Sequence, residues 1–536
     1  MKNIIKFALV IMAVCILSSC SKVNVDNTDV KEPETTNQST EKTETVSDIK
    51  SDGMAVISIT TVSDDENVMD FVTKPVASHV SEQIATWTPG YIIPPEPYYE
   101  DCMITVKDIE NKTLIDGAEA KVKVRGNWTT TYDKKPLRIK FDKKQNMLGL
   151  NDGTEMKNWV LIAEYKDASM LRNKATMQIA REILEEDGLY ATDTELVEVY
   201  INGEYWGVYL IAEYQQINEN RVNITECEDD YTGTDIGYFI ELDGYCYTED
   251  ELQQFYIDYA DNAPITPYDG NVGSGRTMKY LDSSNIGFTI KNDIYSEEQR
   301  AFIERYVDGV YDIMYYAAYK DEAYVFNSDY SAIEKTADIT PREAIERVVN
   351  VESLVDIYII NELACDADIY WSSFFMTVDF GEGGDKRLTF SAPWDFDSGL
   401  GLKNRCIDGT GYYASNIVPD VNGGPQGGGE FETINPWLSV LAYEDWYRDM
   451  IKETWTKAYD NGVFIQAIEM IENDKNNYSE VFERNYDKWD NIRKNDSFVH
   501  ELSKPAAECK NHEEAADFLK EWLENRVEFL NGEFHK

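Results

Sequence analysis

Histidine is scarce in this chain, with 4 in 536 residues, and none lies near its polar motifs. Any acid–base chemistry there falls to carboxylates rather than imidazole. The cysteines form no CxxC or CxxH pair, so a zinc site has no support. Positive charge is also short: 50 Lys and Arg face 99 Asp and Glu, a net charge of -49. Such a field repels phosphate backbones, and nucleic acid is not an expected partner. An anionic ligand would need local basic groups or a metal ion. After the first residues no apolar run approaches the roughly 20 residues of a bilayer span.

The N-terminus has a basic start (Lys2, Lys6), an apolar run from Phe7 to Leu17 and a small-residue stretch. That order is a secretory signal. Leu17-Ser18-Ser19-Cys20 resembles the bacterial lipobox, in which the cysteine is acylated and becomes the new N-terminus. Residues 1–20 are therefore expected to be a lipoprotein signal peptide, Cys20 the lipidation site, and the protein extracytoplasmic and anchored to the bacterial membrane. From 21 to 52 the chain is Thr, Glu, Lys, Ser and Asn with few large apolar residues. It reads as a disordered tether. Beyond Cys15 and Cys20, export would permit disulfides among Cys102, Cys227, Cys246, Cys365, Cys406 and Cys509, but sequence alone does not pair them.

Strand patterns come first in the body: Ala55 to Thr61, Met103 to Lys107, Ala120 to Arg125, Leu137 to Phe141 and Trp159 to Glu164. A helix is predicted from Ala168 to Glu186, with Leu171, Ala175, Ile179 and Ile183 at helical spacing. Asn202-Gly203 joins strands Val197 to Ile201 and Tyr205 to Ala212 as a hairpin. After strands near Tyr238 and Phe288, a capping box at Ser296 to Gln299 opens a helix toward Tyr319. A second helix is expected from Pro341 to Ala364, broken near Val351. Two short strands follow, Phe374 to Val378 and Arg387 to Phe390, and the last third is mostly helical. The predicted class is α+β, with a β-rich N-lobe to about residue 215 and a helical C-lobe. Residues 53–115 read as an N-terminal β-rich segment, and 116–536 as the main domain.

Three segments carry polar residues beyond structural need. In the first, Arg125-Gly126-Asn127 and Lys134 to Lys140 place a polar loop and returning basic residues between two strands, which suits phosphate oxygens. By local pattern alone, an ordinary basic hairpin looks the same. The second, Asp366-Ala367-Asp368, ends a helix before a strand; the third, Pro393-Trp394-Asp395-Phe396-Asp397, follows the next strand. Carboxylates at neighbouring strand ends can share a divalent cation through hard oxygen ligands. They can equally be turn and cap aspartates.

In order along the chain, Arg125-Gly126-Asn127, Lys135 to Lys140, Trp159 to Ala163, Leu171-Arg172-Asn173, Val197 to Glu213 and Pro393 to Asp397 resemble the CotH spore-coat-type family of atypical protein kinases. The resemblance is strong over residues 120 to 405. It implies a divergent protein-kinase-like two-lobed fold using ATP with Mg or Mn. It implies that Arg125 and Asn127 belong to a phosphate-covering loop and that Lys135 or Lys140 contacts the nucleotide. Glu213 would lead into the hinge beside the adenine, with Asp368 as catalytic carboxylate and Asp395 and Asp397 as metal ligands. Asp366 competes with Asp368 for the catalytic role, and Glu182 is the candidate partner of the lysine. Ser373 stands where a kinase loop carries Asn, which puts a second metal in doubt.

The expected function is a metal-dependent kinase acting on hydroxyls of exported or surface proteins. Two rivals stay open: a non-catalytic surface adaptor binding protein or polysaccharide, and a glycan hydrolase using a carboxylate pair. The lipobox reading is checked by following the precursor: globomycin should leave it uncleaved. Normal maturation of Cys20→Ala by the ordinary signal peptidase would contradict the assignment.

Overall fold

The computed structural model describes residues 49–259, 265–266, 268, 286–366, 368–404, 407–415, 418–419, 432–490, 492 and 502–536. The signal segment with Cys20, most of the tether and Cys406 lie outside the described residues.

Seven strands open the fold: β1 (Ala55–Thr61), β2 (Glu100–Lys107), β3 (Thr113–Val124), β4 (Leu137–Gln145), β5 (Met156–Ile162), β6 (Thr194–Ile201) and β7 (Glu204–Glu213). They close into a barrel in the order β1-β2-β3-β4-β5-β7-β6. Closure is made by β1, antiparallel to β2 and parallel to β6 from Ala55↔Val197 to Ile59↔Ile201. Residues 53–115 contribute β1, β2 and the start of β3 to this barrel. The two-residue period sends Leu137, Ile139 and Trp159 inward. Arg138 and Asn158 face out. β7 is buried on both faces, Tyr209 and Ile211 inside the barrel and Val208 and Leu210 against the helical body, which explains its unbroken apolar run. Asn202 (φ 51°) and Gly203 (φ 78°) make the predicted hairpin turn. Asn202 also accepts a hydrogen bond from the Thr61 amide at 2.9 Å, latching the closing strand.

Between β1 and β2 lies α1 (Ser78–Trp87), a helix the sequence pattern did not announce. After β5 comes α2 (Arg172–Glu185), whose Ala175, Ile179 and Ile183 pack into the larger core. A second sheet, ordered β14-β13-β8-β10-β9, is built from β8 (Gly237–Asp243), β9 (Gln254–Phe255), β10 (Gly287–Ile290), β13 (Phe374–Asp379) and β14 (Thr389–Phe390). A small hairpin, β11 (Ala323–Phe326) and β12 (Ile333–Thr336), was also missed by pattern. The capping box of Ser296 and Gln299 opens α3 (Glu297–Lys320). The expected break falls between α4 (Pro341–Glu346) and α5 (Val351–Ala364). α5 is buried almost all round, as its weakly amphipathic apolar sequence requires. The chain ends in α6 (Asp445–Asp460), α7 (Val463–Asn477), α8 (Ser479–Trp489) and α9 (His512–Phe534).

Helices and strands are thus mixed as the α+β reading anticipates, but the N-terminal sheet is a closed barrel. One interface ties the barrel to the helical body, and a second ties that body together. α8 lies on β7, where Asn485 Oδ1 accepts from the Val208 amide at 3.0 Å and Trp489 Nε1 donates to the Trp206 carbonyl at 2.7 Å. α9 reaches α5 through Arg526, which donates to Glu362 Oε1 at 2.6 Å; both side chains are fully buried. Glu362 also accepts the Tyr413 and Ala414 amides at 2.6 and 2.8 Å. Among the described residues no helix is long and apolar enough to cross a membrane.

Arg526→Ala would strand the Glu362 carboxylate in the core without its cation. Unfolding free energy should fall by about 3–5 kcal/mol, read from the urea midpoint, whereas the exposed Lys504→Ala should change it little.

Candidate active site

α5 ends in a left-handed residue, Cys365 (φ 48°), and the reversal delivers Asp366 and Asp368. Asp366 is 3 % exposed and accepts the Asp368 amide at 3.1 Å. Asp368 is half-buried, and its carbonyl accepts the amides of Trp371 and Ser372 at 2.7 and 3.0 Å. Of the two competing carboxylates, Asp366 is the buried base of the turn and Asp368 its more open member.

The turn after β14 meets this one head-on. The Leu400 amide donates to the Ala364 carbonyl at 2.6 Å. Gly399 permits the contact, because a Cβ there would lie 2.7 Å from the same oxygen. Asp395 sits between, with φ 69°, a strained value for a residue with a side chain. The strain is held from α2: Asn173 Oδ1 accepts the Phe396 amide at 2.7 Å, and Arg172 Nε donates to the Leu400 carbonyl at 3.3 Å. Asn173 is itself fixed by donating to Glu164 at 3.0 Å, and Arg172 by a buried ion pair with Asp167. Asp167 also accepts the amides of Ser169, Leu171 and Arg172, which starts the helix. This is the structural meaning of Leu171-Arg172-Asn173.

Asp366, Asp368, Asp395 and Asp397 therefore share one electrostatic neighbourhood. Burial, then Asp397 and Asp368, push the Asp395 carboxyl up to about 7 against the pull of Lys166 and Arg125. Burial and Asp368 hold Asp366 well above the usual carboxylate range. Lys166 pairs with Asp397 Oδ1 at 3.3 Å and donates to Ser398 Oγ at 2.9 Å. Sequence reasoning passed over Lys166; the available signal was a lone cation in the strand-to-helix connection before Leu171-Arg172-Asn173.

The barrel presents a basic face to this turn. Arg125 lies 5.7 Å from the Trp394 ring, Arg138 stacks on Tyr214 at 4.0 Å, and Lys123 stands over Tyr99 at 4.9 Å. Lys123 is lowered by burial and then by Arg138 and Arg125, which identifies the three as one cationic group. Arg138 Nη2 donates to Asn158 Oδ1 at 2.9 Å, while its Nε is buried with no protein partner. From β8 and β10, Glu241 and Lys291 form a pair at 2.9 Å. Glu241 also accepts the amide of Ser373, at the position that departs from the kinase pattern, at 2.9 Å. Asp243 beside it is raised to about 6 by burial and by Glu241.

Several expected ligands lie elsewhere. Lys135 is 5 % exposed and its ammonium donates to the Thr130 carbonyl inside its own loop, with burial lowering it to about 8. Lys140 is exposed on β4, one residue pair beyond Arg138, in register with Lys121 and Asn158. Glu213 is buried and locked by Arg221 at 2.9 Å and by Asn151 at 2.7 Å. It braces the end of β7. Glu182 is exposed and lines a separate cleft on the outer side of α2 with Lys174 and Arg181. Asn127 is exposed and starts a short turn, Trp128–Thr131, so the loop is structured by its own backbone bonds. Lys135 lies before β4, whereas Arg138 and Lys140 share its outward face, and of those two it is Arg138 that stacks on Tyr214.

Carboxylate oxygens suit a hard divalent ion, and the excess of acid over base in this centre supplies the field for one. Among the described residues no three His, Cys, Asp or Glu side chains form a ready-made cage.

An acidic turn thus faces a basic barrel wall through Arg125, Trp394 and Asp395. The family model described as CotH kinase protein matches residues 122–530, well over half of the chain, and the chain belongs to that family. No curated protein matches it. A kinase-like family in general implies ATP and a divalent cation.

Asn173→Ala should free the Phe396 amide and loosen Asp395. We expect a loss of about 1–3 kcal/mol, measured by thermal and chemical unfolding, with Asn173→Asp failing to restore it because a second carboxylate would face Glu164.

Proposed function

We propose that this protein is an ATP-dependent protein kinase acting on hydroxyl side chains of exported or surface proteins. The observation that carries this reading is the juxtaposition of Lys123, Arg125 and Arg138 with Asp395 and Asp397 in a molecule of net charge -49. Three cations crowded on one face repel each other, and a polyphosphate is the ligand that relieves them. The unpaired Arg138 Nε points the same way. In this reading Arg125 and Arg138 hold phosphate oxygens, taking the place first given to Lys135 and Lys140. Tyr214, stacked on Arg138 and following β7, borders the base.

Asp395 and Asp397 would hold the divalent ion. When bound, such an ion neutralises phosphate charge as transfer proceeds. Lys166 keeps Asp397 oriented and Asn173 keeps the Asp395 turn in place. Asp368, the more open carboxylate, orients the acceptor hydroxyl. The acceptor oxygen bonds to the terminal phosphorus, the bond to the bridging oxygen breaks, and the hydroxyl proton passes to Asp368 and on to solvent. Asp366 supports that turn from beneath. Cys20 would tether the molecule to the membrane, which places its acceptors at the same surface.

Labelled ATP with Mg2+ or Mn2+ tests the assignment. Asp395→Asn, nearly isosteric, should keep the melting temperature while transfer falls by about 100-fold or more. Asp368→Asn should lower transfer yet spare metal-dependent ATP binding. Arg138→Ala should weaken ATP binding about 10- to 100-fold, and Lys140→Ala should not. A wild-type protein that neither binds ATP nor transfers phosphate would replace this reading with the adaptor.

A further inference from the structure

The segment before residue 122 lies outside the family match, yet it reaches the acceptor side of the site. α1 touches both sides of the cleft. At its start the Ala77 amide donates to Thr130 Oγ1 at 3.0 Å, and Val80 and Ile84 pack with Trp128, so the helix is seated on the loop that follows Arg125. From the same helix His79 lays its ring 5.2 Å from Tyr245, tilted by 52°. Tyr245 meets Trp371 edge-on at 5.9 Å. Trp371 is bound into the Asp368 turn: its amide donates to the Asp368 carbonyl at 2.7 Å, and its carbonyl accepts the Gly244 amide at 2.6 Å. Gly244 lies flat against the Trp371 ring, where a Cβ would fall 2.4 Å from an indole carbon. Asp243 fixes the other end by accepting the Tyr245 amide at 2.7 Å.

The row His79, Tyr245, Trp371 thus runs from a helix outside the family segment to the turn carrying Asp368. All three residues are half-buried. His79 Nε2 is buried without a protein partner, so the imidazole is held by ring packing rather than by a hydrogen bond. Rings in such a row restrain one another's rotamers, and Trp371 has no comparable freedom once Tyr245 is held.

We propose that His79 is a positioning residue for the phosphate acceptor: through Tyr245 it holds Trp371 as the wall against which the acceptor polypeptide lies when its hydroxyl reaches Asp368. The inference rests on the kinase reading and deepens it. It assigns the N-terminal segment a part in acceptor selection, in addition to closing the barrel.

The experiment uses the full chain with casein and a mixed pool of Ser-, Thr- and Tyr-containing peptides as acceptors, and ATP affinity measured separately by calorimetry. His79→Ala should raise the acceptor KM about two- to tenfold and leave ATP affinity as in wild type. His79→Phe, which keeps a ring against Tyr245, should restore most of the loss. An unchanged acceptor KM in His79→Ala would overturn the proposal. So would a parallel loss of ATP affinity, which marks a general structural role, or a His79→Phe variant no better than alanine. If wild type transfers phosphate to neither acceptor and does not bind ATP, the kinase reading itself has failed, an outcome seen without any variant.

Discussion

Two side chains at the start of one helix hold the acidic centre together. Asn173 accepts the Phe396 amide and Arg172 donates to the Leu400 carbonyl, so the turn bearing Asp395 and Asp397 is bonded to α2 between its two carboxylates and again just after them. The constraint matters because the turn opposes its own geometry: Asp395 is left-handed, and its carboxylates are repelled by each other and by those of the Asp366–Asp368 turn. Backbone strain and like-charge repulsion persist only where surrounding bonds over-determine them. Here those bonds are buried, and both side chains are themselves fixed, Arg172 by Asp167 and Asn173 by Glu164.

The charge arrangement follows the same logic at larger scale. A chain of net charge -49 that concentrates Lys123, Arg125 and Arg138 on one barrel face accepts mutual repulsion among them. The aromatic rings of Tyr99, Tyr214 and Trp394 offset part of it by facing the cations. Opposite that face the acids outnumber Lys166 and Lys291. Each half of the site is electrostatically incomplete alone, and the proposed ATP with its divalent ion would complete both.

Barrel closure connects this centre to the chain's first described strand. The family match begins at residue 122, within β3, yet β1 supplies the parallel pairing with β6 that leaves the sheet without an edge. The insertion between β1 and β2 then carries α1 from the loop after Arg125 to Tyr245. The insertion between the strands that close the barrel therefore also touches Tyr245, beside the Asp368 turn.

Much of the local structure was legible from periodicity. The strand at Ala55, the Asn202-Gly203 hairpin, the Ser296 capping box and the break before Val351 all depend on residues adjacent in sequence, whose preferences act over a few positions. The acidic turns and the Leu171-Arg172-Asn173 motif were visible for the same reason. The partners were not. β1 gives no sign that it will pair in parallel with β6, since that bond joins residues more than a hundred positions apart. α1 is too weakly patterned to stand without Trp128 and Tyr245 beneath it. Lys135 and Lys140 looked equivalent beside Arg138 until folding turned Lys135 into its own loop and set Arg138 rather than Lys140 on Tyr214, and Lys166 was an unremarked cation until folding brought it to Asp397. By itself the sequence determined which short segments are helices, strands and turns, and that acids and bases gather in separate motifs. Tertiary structure alone decided which of those groups meet, because their encounter depends on register, closure and burial, none of which is a property of neighbouring residues.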